Sequence, residues 1–338
     1  MVTERREAAY YTVSENILKC RLCPQECAIS DGGVGICRTR VRDGEKLYLT
    51  NYGEYTALGM DPIEKKPLYH FYPGWDILSI GGKGCNFKCV FCQNSTISQG
   101  DCQTRHIEPK QLAEESLARA ANSIGLAFTY NEPFIWFEFI RDTAPLIRKN
   151  GQKVVLVTNG YVNPDPLNEL MPHIDAMNID LKAFEDGFYR KYCGGGIEPV
   201  KKTIVSAFEA GIHVELTILL IPTLNDSMDL IGEQVEWIAS ISKDIPFHIS
   251  RYFPSHKMEI PPTPLRTLQA AYDIASEKLN YVYLGNVGNA DHARSKCPEC
   301  GHVLVDRNGY RTNICGMDAG CCSGCGATLA FVRETEDK

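Results

Sequence analysis

The sequence lacks a long hydrophobic run. Its best apolar stretch, residues 214–221, contains Glu215 and is followed by Pro222, so it falls far short of the ~20 apolar residues that a membrane-spanning helix needs. The first sixteen residues are rich in charge and have no apolar core of the kind found in secretory leaders. We therefore expect a cytoplasmic protein without a membrane anchor.

An excess of basic residues is also missing, since 35 Lys and Arg stand against 42 Asp and Glu, for a net charge of −7. Proteins that bind nucleic acid or anionic membranes through their overall charge are basic, so neither is an expected partner. With 44% hydrophobic and 23% charged residues, the chain has an ordinary globular composition and is not disordered. Its 338 residues correspond to one large domain or two ordinary ones.

Cysteine is abundant, with 15 residues in a chain expected to be reduced, where clustered cysteines more often bind metals than form disulfides. Cys102 and Cys193 stand alone, and single cysteines are most often small buried hydrophobic residues. The others form an N-terminal group (Cys20, Cys23, Cys27, Cys37), a central trio (Cys85, Cys89, Cys92) and a C-terminal group (Cys297, Cys300, Cys315, Cys321, Cys322, Cys325).

Between the trio and the C-terminal group, short apolar segments alternate with amphipathic ones. The apolar segments predict strands at 77–81, 126–130, 154–158, 176–181, 214–220, 247–253 and 281–284. The amphipathic segments predict helices at 109–123, 134–150, 164–171, 197–210, 228–242 and 265–279. Strands separated by helices form parallel sheets, and this number of repeats favours an open or partial α/β barrel over a small doubly wound sheet.

Polar residues lie at the carboxyl ends of the predicted strands, where α/β barrels gather their chemistry. They are Asn131 and Glu132 after the second strand, Thr158 and Asn159 at the third, Asp180 and Lys182 at the fourth, and His248 and Arg251 on the sixth. A simple turn is the alternative for the first two pairs. Asp180 and Lys182 are two residues apart and face one side; a buried ion pair or exposure to solvent is the alternative for them. His248 and Arg251 could bind a substrate carboxylate or phosphate, although packing in the core explains His248 equally well.

The trio supplies three thiolates within eight residues, spaced Cys-x3-Cys-x2-Cys. Three soft ligands on one loop can bind three irons of a [4Fe–4S] cluster and leave the fourth iron without a protein ligand. One alternative is half of a zinc site with a remote fourth ligand. The other is a disulfide with one free thiol, which a reducing compartment disfavours.

The two flanking groups also have metal-ligand spacing. The N-terminal group offers four thiolates for a zinc ion or a second iron–sulfur cluster; its Cys-x2-Cys knuckle favours zinc slightly, and two disulfides are a third alternative. In the C-terminal group, the pairs Cys297/Cys300 and Cys322/Cys325 predict a zinc ribbon or a rubredoxin-like site, in which Cys321 could replace Cys322.

The trio, with the aromatic Phe91 before its last cysteine and a strand before its first, resembles the radical S-adenosylmethionine (SAM) superfamily. The resemblance implies that the trio binds a [4Fe–4S] cluster, that SAM binds the open iron, and that one electron from a donor such as ferredoxin or flavodoxin cleaves SAM to methionine and a 5′-deoxyadenosyl radical. It also implies SAM contacts, although residues 130–133 lack the paired glycines usual at that place. The implied contacts are Asn131, Glu132, Thr158 and Asn159, with Asp180 and Lys182 contacting SAM or lining the substrate side.

The resemblance covers most of the chain, from Cys20 to about Asn286. The N-terminal group and the run Asp-Pro-Ile-Glu-Lys-Lys-Pro-Leu-Tyr-His-Phe at 61–71 are similar to the pyruvate formate-lyase activating enzyme-like branch. The same run, together with Cys92-Gln93-Asn94, is similar to the radical SAM member of the AmmeMemoRadiSam system. That resemblance implies partner proteins of the AMMECR and Memo types and, as we interpret it, a small-molecule substrate. The alternatives are a glycyl-radical activase, an RNA-modifying enzyme, which the negative charge disfavours, and an iron–sulfur electron-transfer protein without SAM.

We therefore expect an α/β protein in three parts. A small Cys-rich module and its lead-in occupy residues 1–70, a partial (β/α)6-type radical SAM barrel occupies 71–290, and a zinc-ribbon-like module occupies 291–338. The expected cofactors are a [4Fe–4S] cluster, SAM, and zinc or auxiliary iron–sulfur clusters in the flanking modules.

Overall fold

The computed structural model describes residues 5–14, 17–288 and 291–333. Its largest sheet has eight strands, and neighbours in the sheet are also neighbours in the chain. The last seven strands are parallel, and the first pairs antiparallel with the second. The strands are β1 (Ala57–Pro62), β2 (Asp76–Gly81), β3 (Ser123–Phe128), β4 (Lys153–Thr158), β5 (Ala176–Asp180), β6 (His213–Leu220), β7 (Phe247–Arg251) and β8 (Val282–Gly285).

A main helix lies between each pair of successive parallel strands. These helices are α1 (Pro109–Leu117), α2 (Phe137–Lys149), α3 (Pro164–Leu170), α4 (Ile197–Glu209), α5 (Met228–Ile241) and α6 (Leu265–Ser276). The start of α1 is encoded locally, because Pro109 occupies its first turn and Glu108 and Gln111 form a reciprocal capping box. In α2 the residues Phe137, Ile140, Ala144 and Ile147 recur at helical spacing and are all buried. The parallel α/β architecture predicted from the alternating pattern is therefore confirmed.

The prediction for α1 and β3 was wrong at their junction. The helix ends at Leu117 rather than residue 123, and the strand begins at Ser123 rather than residue 126. The difference comes from Gly125, which lies inside the strand. The backbone there requires a glycine, because its φ is +152° and a Cβ would lie 2.0 Å from the carbonyl oxygen of Lys153. Here the pairing of β3 with β2 also shifts register. A glycine inside a strand often marks a bulge or a close approach of a neighbouring backbone.

Short strands build the N-terminal part. Tyr11–Ser14, Ile17–Cys20 and Ala28–Ile29 form a three-stranded antiparallel sheet, and Arg40–Asp43 pairs with Lys46–Leu49. Glu54–Tyr55 pairs with Arg105–His106 farther along the chain.

The C-terminal part contains an antiparallel hairpin. Val303–Asn308 pairs with Arg311–Ile314, and Ser295–Lys296 adds a third strand. The turn comes at residues 309–310, and Arg307 lies in the first strand of the hairpin with no exposed side-chain surface. Met317–Asp318 pairs with Cys321–Cys322. The predicted module boundary at 290/291 falls beside residues 289–290, which lie outside the described part of the chain.

Arg307 joins this C-terminal part to the run at 61–71. Its guanidinium donates to the carbonyl oxygen of Tyr69 at 2.7 Å, lies over the Tyr69 ring, and faces the buried carboxylate of Glu64 at 3.8 Å. The ring of His70 stacks on Phe331. The run thus packs directly against the C-terminal part. Among the described residues, no helix is long and apolar enough to span a bilayer.

Candidate active site

A cavity of about 590 Å³ lies at the carboxyl ends of the parallel strands. Thr129, Thr158, Asp180, Ser250 and Asn286 line it from β3, β4, β5, β7 and β8 or the loops that follow them. The trio completes the wall from the loop after β2. This volume falls in the range of pockets that bind one small molecule, roughly 300–1,000 Å³.

All three sulfurs of the trio lie at this cavity, and each has a hydrogen-bond donor. The amide of Phe87 donates to Cys85 Sγ at 3.4 Å, and Ser98 Oγ lies 3.3 Å from Cys92 Sγ. The thiol of Cys193 donates to Cys89 and thereby lowers the pKa of Cys89. Burial raises the pKa of Cys85 and Cys92. Buried sulfurs with donors suit thiolates held by a cation, because burial alone disfavours free thiolates.

The loop that carries Cys85 is fixed by a glycine and an asparagine. Gly84 has a φ of +84°, and a Cβ there would lie 2.3 Å from the carbonyl oxygen of Cys37. Asn131 accepts from the amide of Gly82 at 3.1 Å and donates to the carbonyl of Gly84 at 2.9 Å. Asn131 lines the cavity and also positions the loop that enters the trio.

Glu132 is buried in the cavity wall at the centre of a donor network. Its carboxylate accepts from Thr158 Oγ1 at 2.6 Å, from the amide of Asn159 at 2.8 Å and from the amide of Phe134 at 2.9 Å. A carboxylate has about four acceptor positions, so one remains for a further donor. Burial raises the pKa of Glu132 to about 7, although these three donors act in the opposite direction.

Asn159 connects this network to the trio. Its side-chain amide donates to Asn86 Oδ1 at 2.9 Å and lies 3.7 Å from Cys85 Sγ. The predicted SAM contacts Glu132, Thr158 and Asn159 therefore form one hydrogen-bonded unit beside the cysteines.

Asp180 and Lys182 form an ion pair at the cavity, with Lys182 Nζ 2.7 Å from Asp180 Oδ2. Burial opposes the charge of Lys182, but the carboxylate of Asp180 and the sulfurs of Cys89 and Cys193 outweigh it and raise the pKa of Lys182. The cation thus interacts with both the carboxylate of Asp180 and Cys89 of the trio. The predicted ion pair and the predicted position at the cavity are both present, and the role in binding stays a prediction.

Neither His248 nor Arg251 lines this cavity, although Ser250 between them does. His248 is buried and its Nε2 lies 2.6 Å from Glu215 Oε2. Arg251 donates from Nε to the carbonyl of Thr263 at 2.8 Å. Since side chains alternate along a strand, His248 shares the face of Ser250 one step closer to the amino end. The assignment of His248 and Arg251 to the substrate side stays a prediction, and neither side chain lines the cavity.

The run at 61–71 contributes cavity residues that sequence reasoning missed. Lys65 and Lys66 line the cavity, and both bind the carboxylate of Asp61, at 2.7 and 2.5 Å. Tyr130 donates to the same carboxylate at 2.5 Å. Burial would raise the pKa of Asp61, but these three donors lower it, so Asp61 is ionised. The sequence-based prediction included this run only as a resemblance, and no property of the segment itself placed its lysines at the cavity.

The C-terminal group forms a compact cluster of four sulfurs. Cys297 and Cys325 lie 3.7 Å apart at Sγ, as do Cys300 and Cys322, and all four sulfurs lie within 4.8 Å of one another. Cys322 rather than Cys321 belongs to this set. The predicted metal-binding pairs are thus brought together, far from the cavity in sequence.

The profile of the radical SAM superfamily matches residues 79–232, which include the trio and most of the cavity wall. The chain is 39% identical over 336 residues to the "Uncharacterized protein MJ0808" of Methanocaldococcus jannaschii, covering 97% of this chain and 99% of that protein. The chain belongs to the radical SAM superfamily. This radical SAM enzyme is also 25% identical to the pyruvate formate-lyase-activating enzyme of Clostridium pasteurianum, over 48% of this chain and 68% of that one.

Solved structures agree at the level of the fold. A radical SAM methyltransferase from Sphaerobacter thermophilus superposes with a TM-score of 0.50 at 15% identity, over 69% of this chain and 71% of that chain. Membership of the superfamily implies a [4Fe–4S] cluster and SAM, and the residues fit both. The three sulfurs of the trio, each with a donor, share the cavity with Glu132, which retains one open acceptor position.

Proposed function

We propose that this radical SAM enzyme reductively cleaves SAM and abstracts hydrogen from a small molecule, together with partner proteins of the AMMECR and Memo types. The observation that supports the chemistry most strongly is the meeting of the trio, Glu132 and Lys182 at one cavity of about 590 Å³. The volume is in the range of small-molecule pockets, but the cluster and SAM share it, so the proposal of a small substrate rests on the resemblance of the run at 61–71 to the radical SAM member of the AmmeMemoRadiSam system. The partner proposal rests on the run at 61–71.

In this proposal the chain's own residues bind and orient the cofactors. Cys85, Cys89 and Cys92 hold the cluster by their sulfurs. When bound, the cluster would pass on one electron from a donor such as ferredoxin or flavodoxin, and SAM would supply the carbon radical that takes hydrogen. Glu132 accepts a hydrogen bond from the ammonium group of SAM at its remaining acceptor position. Asn131 keeps the Cys85 loop in place, and the buried wall limits the access of water.

The run at 61–71 connects the cavity with the C-terminal part, which supports the proposal of partner proteins. Lys65 and Lys66 reach the cavity, while Glu64 and Tyr69 in the same run contact Arg307 of the C-terminal part. A protein that binds beside the C-terminal part would therefore be one short segment away from the substrate side.

A glycyl-radical activase is the second candidate. The relatives named as pyruvate formate-lyase-activating enzyme and as putative glycyl-radical enzyme activating enzyme favour it, at 25% and 26% identity. In that case the donor of hydrogen would be a backbone glycine of a protein rather than a free small molecule.

One experiment separates the two candidates. The anaerobically reconstituted enzyme is incubated with reductant, SAM and either purified AMMECR- and Memo-type proteins with a deuterated extract of small molecules, or deuterated candidate protein substrates. We expect deuterium in 5′-deoxyadenosine only with the small-molecule extract, and more of it when both partners are present. Transfer from a protein glycine would support the activase instead.

Three further assignments belong to the proposal. We assign zinc to the C-terminal group, because tetrahedral zinc with bonds to sulfur of about 2.3 Å places its sulfurs about 3.8 Å apart. We describe the main sheet as a partial (β/α)6 barrel, because its strands follow chain order without the reversal of a doubly wound sheet. We place the enzyme in the reducing cytoplasm, where metal-binding thiols persist.

A further inference from the structure

The N-terminal group lines a small cavity that the active site does not use. Cys20, Cys23, Cys27 and Cys37 all line it. The cavity has a volume of about 10 Å³. The four cysteines thus line one small void, and their sulfurs do not all lie within 4.8 Å of one another.

A single zinc ion does not leave such a void. Four sulfurs at about 2.3 Å from zinc lie about 3.8 Å apart, so no water-sized sphere fits between them. The C-terminal group meets this condition, with its sulfur pairs 3.7 Å apart and all four within 4.8 Å. Across residues 5–14, 17–288 and 291–333, the C-terminal set is the one group of cysteine, histidine or carboxylate ligands found to be that compact.

Each sulfur of the N-terminal group has its own donor, as metal-bound thiolates do. The hydroxyl of Thr39 donates to Cys37 Sγ at 3.3 Å, and the amide of Ile36 donates to Cys27 Sγ at 3.5 Å. The amides of Leu22 and Gln25 donate to the remaining two sulfurs, those of Cys20 and Cys23. Three buried cysteines and the half-buried Cys27, each with a donor to its sulfur, indicate an occupied metal site.

A buried cation borders the same void. Arg40 lines the cavity with 1% of its side chain exposed, and Glu138 binds it at 2.6 Å. The Nε of Arg40 is buried and has no hydrogen-bond partner among the described residues. An unsatisfied charged donor in a closed cavity is costly. An anionic cluster in the void, with sulfur acceptors of its own, would offset that cost.

This cavity shares a wall with the active site. Asn86, which follows Cys85 directly, lines it, and Gln25 donates to the carbonyl of Asn86 at 2.9 Å. Gly84 on the other side of Cys85 packs against the carbonyl of Cys37. Two metal groups in these places would both border the loop that carries Cys85.

We propose that Cys20, Cys23, Cys27 and Cys37 hold a second iron–sulfur cluster, of the four-cysteine [4Fe–4S] type, beside the loop of the trio. This assignment replaces zinc, which the spacing of these cysteines favoured slightly. It stands independently of SAM cleavage, because it concerns only the metal that the N-terminal group binds.

Metal content of the full-length, anaerobically reconstituted protein tests this proposal. We expect about eight irons and one zinc per chain, from two [4Fe–4S] clusters and one zinc site. A content of about four irons with two zincs would overturn the assignment, and so would about four irons with one zinc.

Variants locate the second cluster. Replacing the trio together (Cys85→Ala, Cys89→Ala, Cys92→Ala) should leave about half of the iron and an electron paramagnetic resonance signal on reduction, because the N-terminal site is intact. The double variant Cys23→Ala, Cys27→Ala should lose the other half with zinc unchanged, and the matched control Cys315→Ala should keep all metals. If the trio variant retains no iron while zinc is present at two per chain, the proposal is wrong. If the iron content is as expected but SAM is not cleaved, only the proposed function fails.

Discussion

Replacing Glu132 by glutamine tests how the cavity holds SAM. The change keeps the size of the side chain but removes its charge. Three neutral donors already occupy Glu132, and the remaining acceptor position is the one we assign to the ammonium group of SAM. A hydrogen bond to a charged group contributes roughly 1.5–3 kcal/mol, so the dissociation constant of SAM should rise roughly 10- to 150-fold.

Equilibrium dialysis with the anaerobically reconstituted protein measures this change. Glu64→Gln is the matched control, because Glu64 is also a buried carboxylate but does not line the cavity. We expect the control to bind SAM as the wild type does. Unchanged SAM affinity in Glu132→Gln, or an equal loss in both variants, would refute the reasoning about the open acceptor position.

Three other substitutions test the fold around the site. Burial would raise the pKa of Glu215, but hydrogen bonds from His248 and other donors hold it below its usual value of about 4.3. Glu215→Gln should thus cost about 3–5 kcal/mol of unfolding free energy at neutral pH. The difference in unfolding free energy from the wild type should shrink as the pH falls below about 4.3. Arg307→Met leaves Glu64 without its buried cation and should cost about 3–5 kcal/mol in chemical denaturation, with partial recovery when Glu64→Gln is added. Cys325→Ser should release about one zinc per chain and leave iron unchanged. An unchanged denaturation midpoint in either of the first two, or retained zinc in the third, would contradict these assignments.

Much of the fold could be predicted because it is encoded locally. The apolar segments of β2 to β8 and the amphipathic stripes of α1 to α6 lie within short windows of sequence. The edge strand β1 was missed, since Ala57–Pro62 contains a glycine, an aspartate and a proline and no β-branched residue. Its position depends on pairing with β2, and the sequence of the segment itself does not predict that pairing.

The site was predictable to the same extent. Spacing located the trio, and the ends of the strands located Glu132, Thr158, Asn159, Asp180 and Lys182. The contribution of Lys66 was not predictable, because it depends on an ion pair at Asp61 and on Tyr130, 64 residues farther along the chain. Cys193 illustrates the same limit, because only the fold brings this lone cysteine to Cys89.

The most direct test of the central claim is the formation of 5′-deoxyadenosine from SAM. The anaerobically reconstituted protein and its Cys89→Ala and Cys315→Ala variants are incubated with SAM and dithionite, and the product is quantified by chromatography. We predict 5′-deoxyadenosine with the wild type and with Cys315→Ala, and none above background with Cys89→Ala. Equal product from Cys89→Ala, or no product from a wild-type protein that holds its iron, would contradict the assignment of the trio.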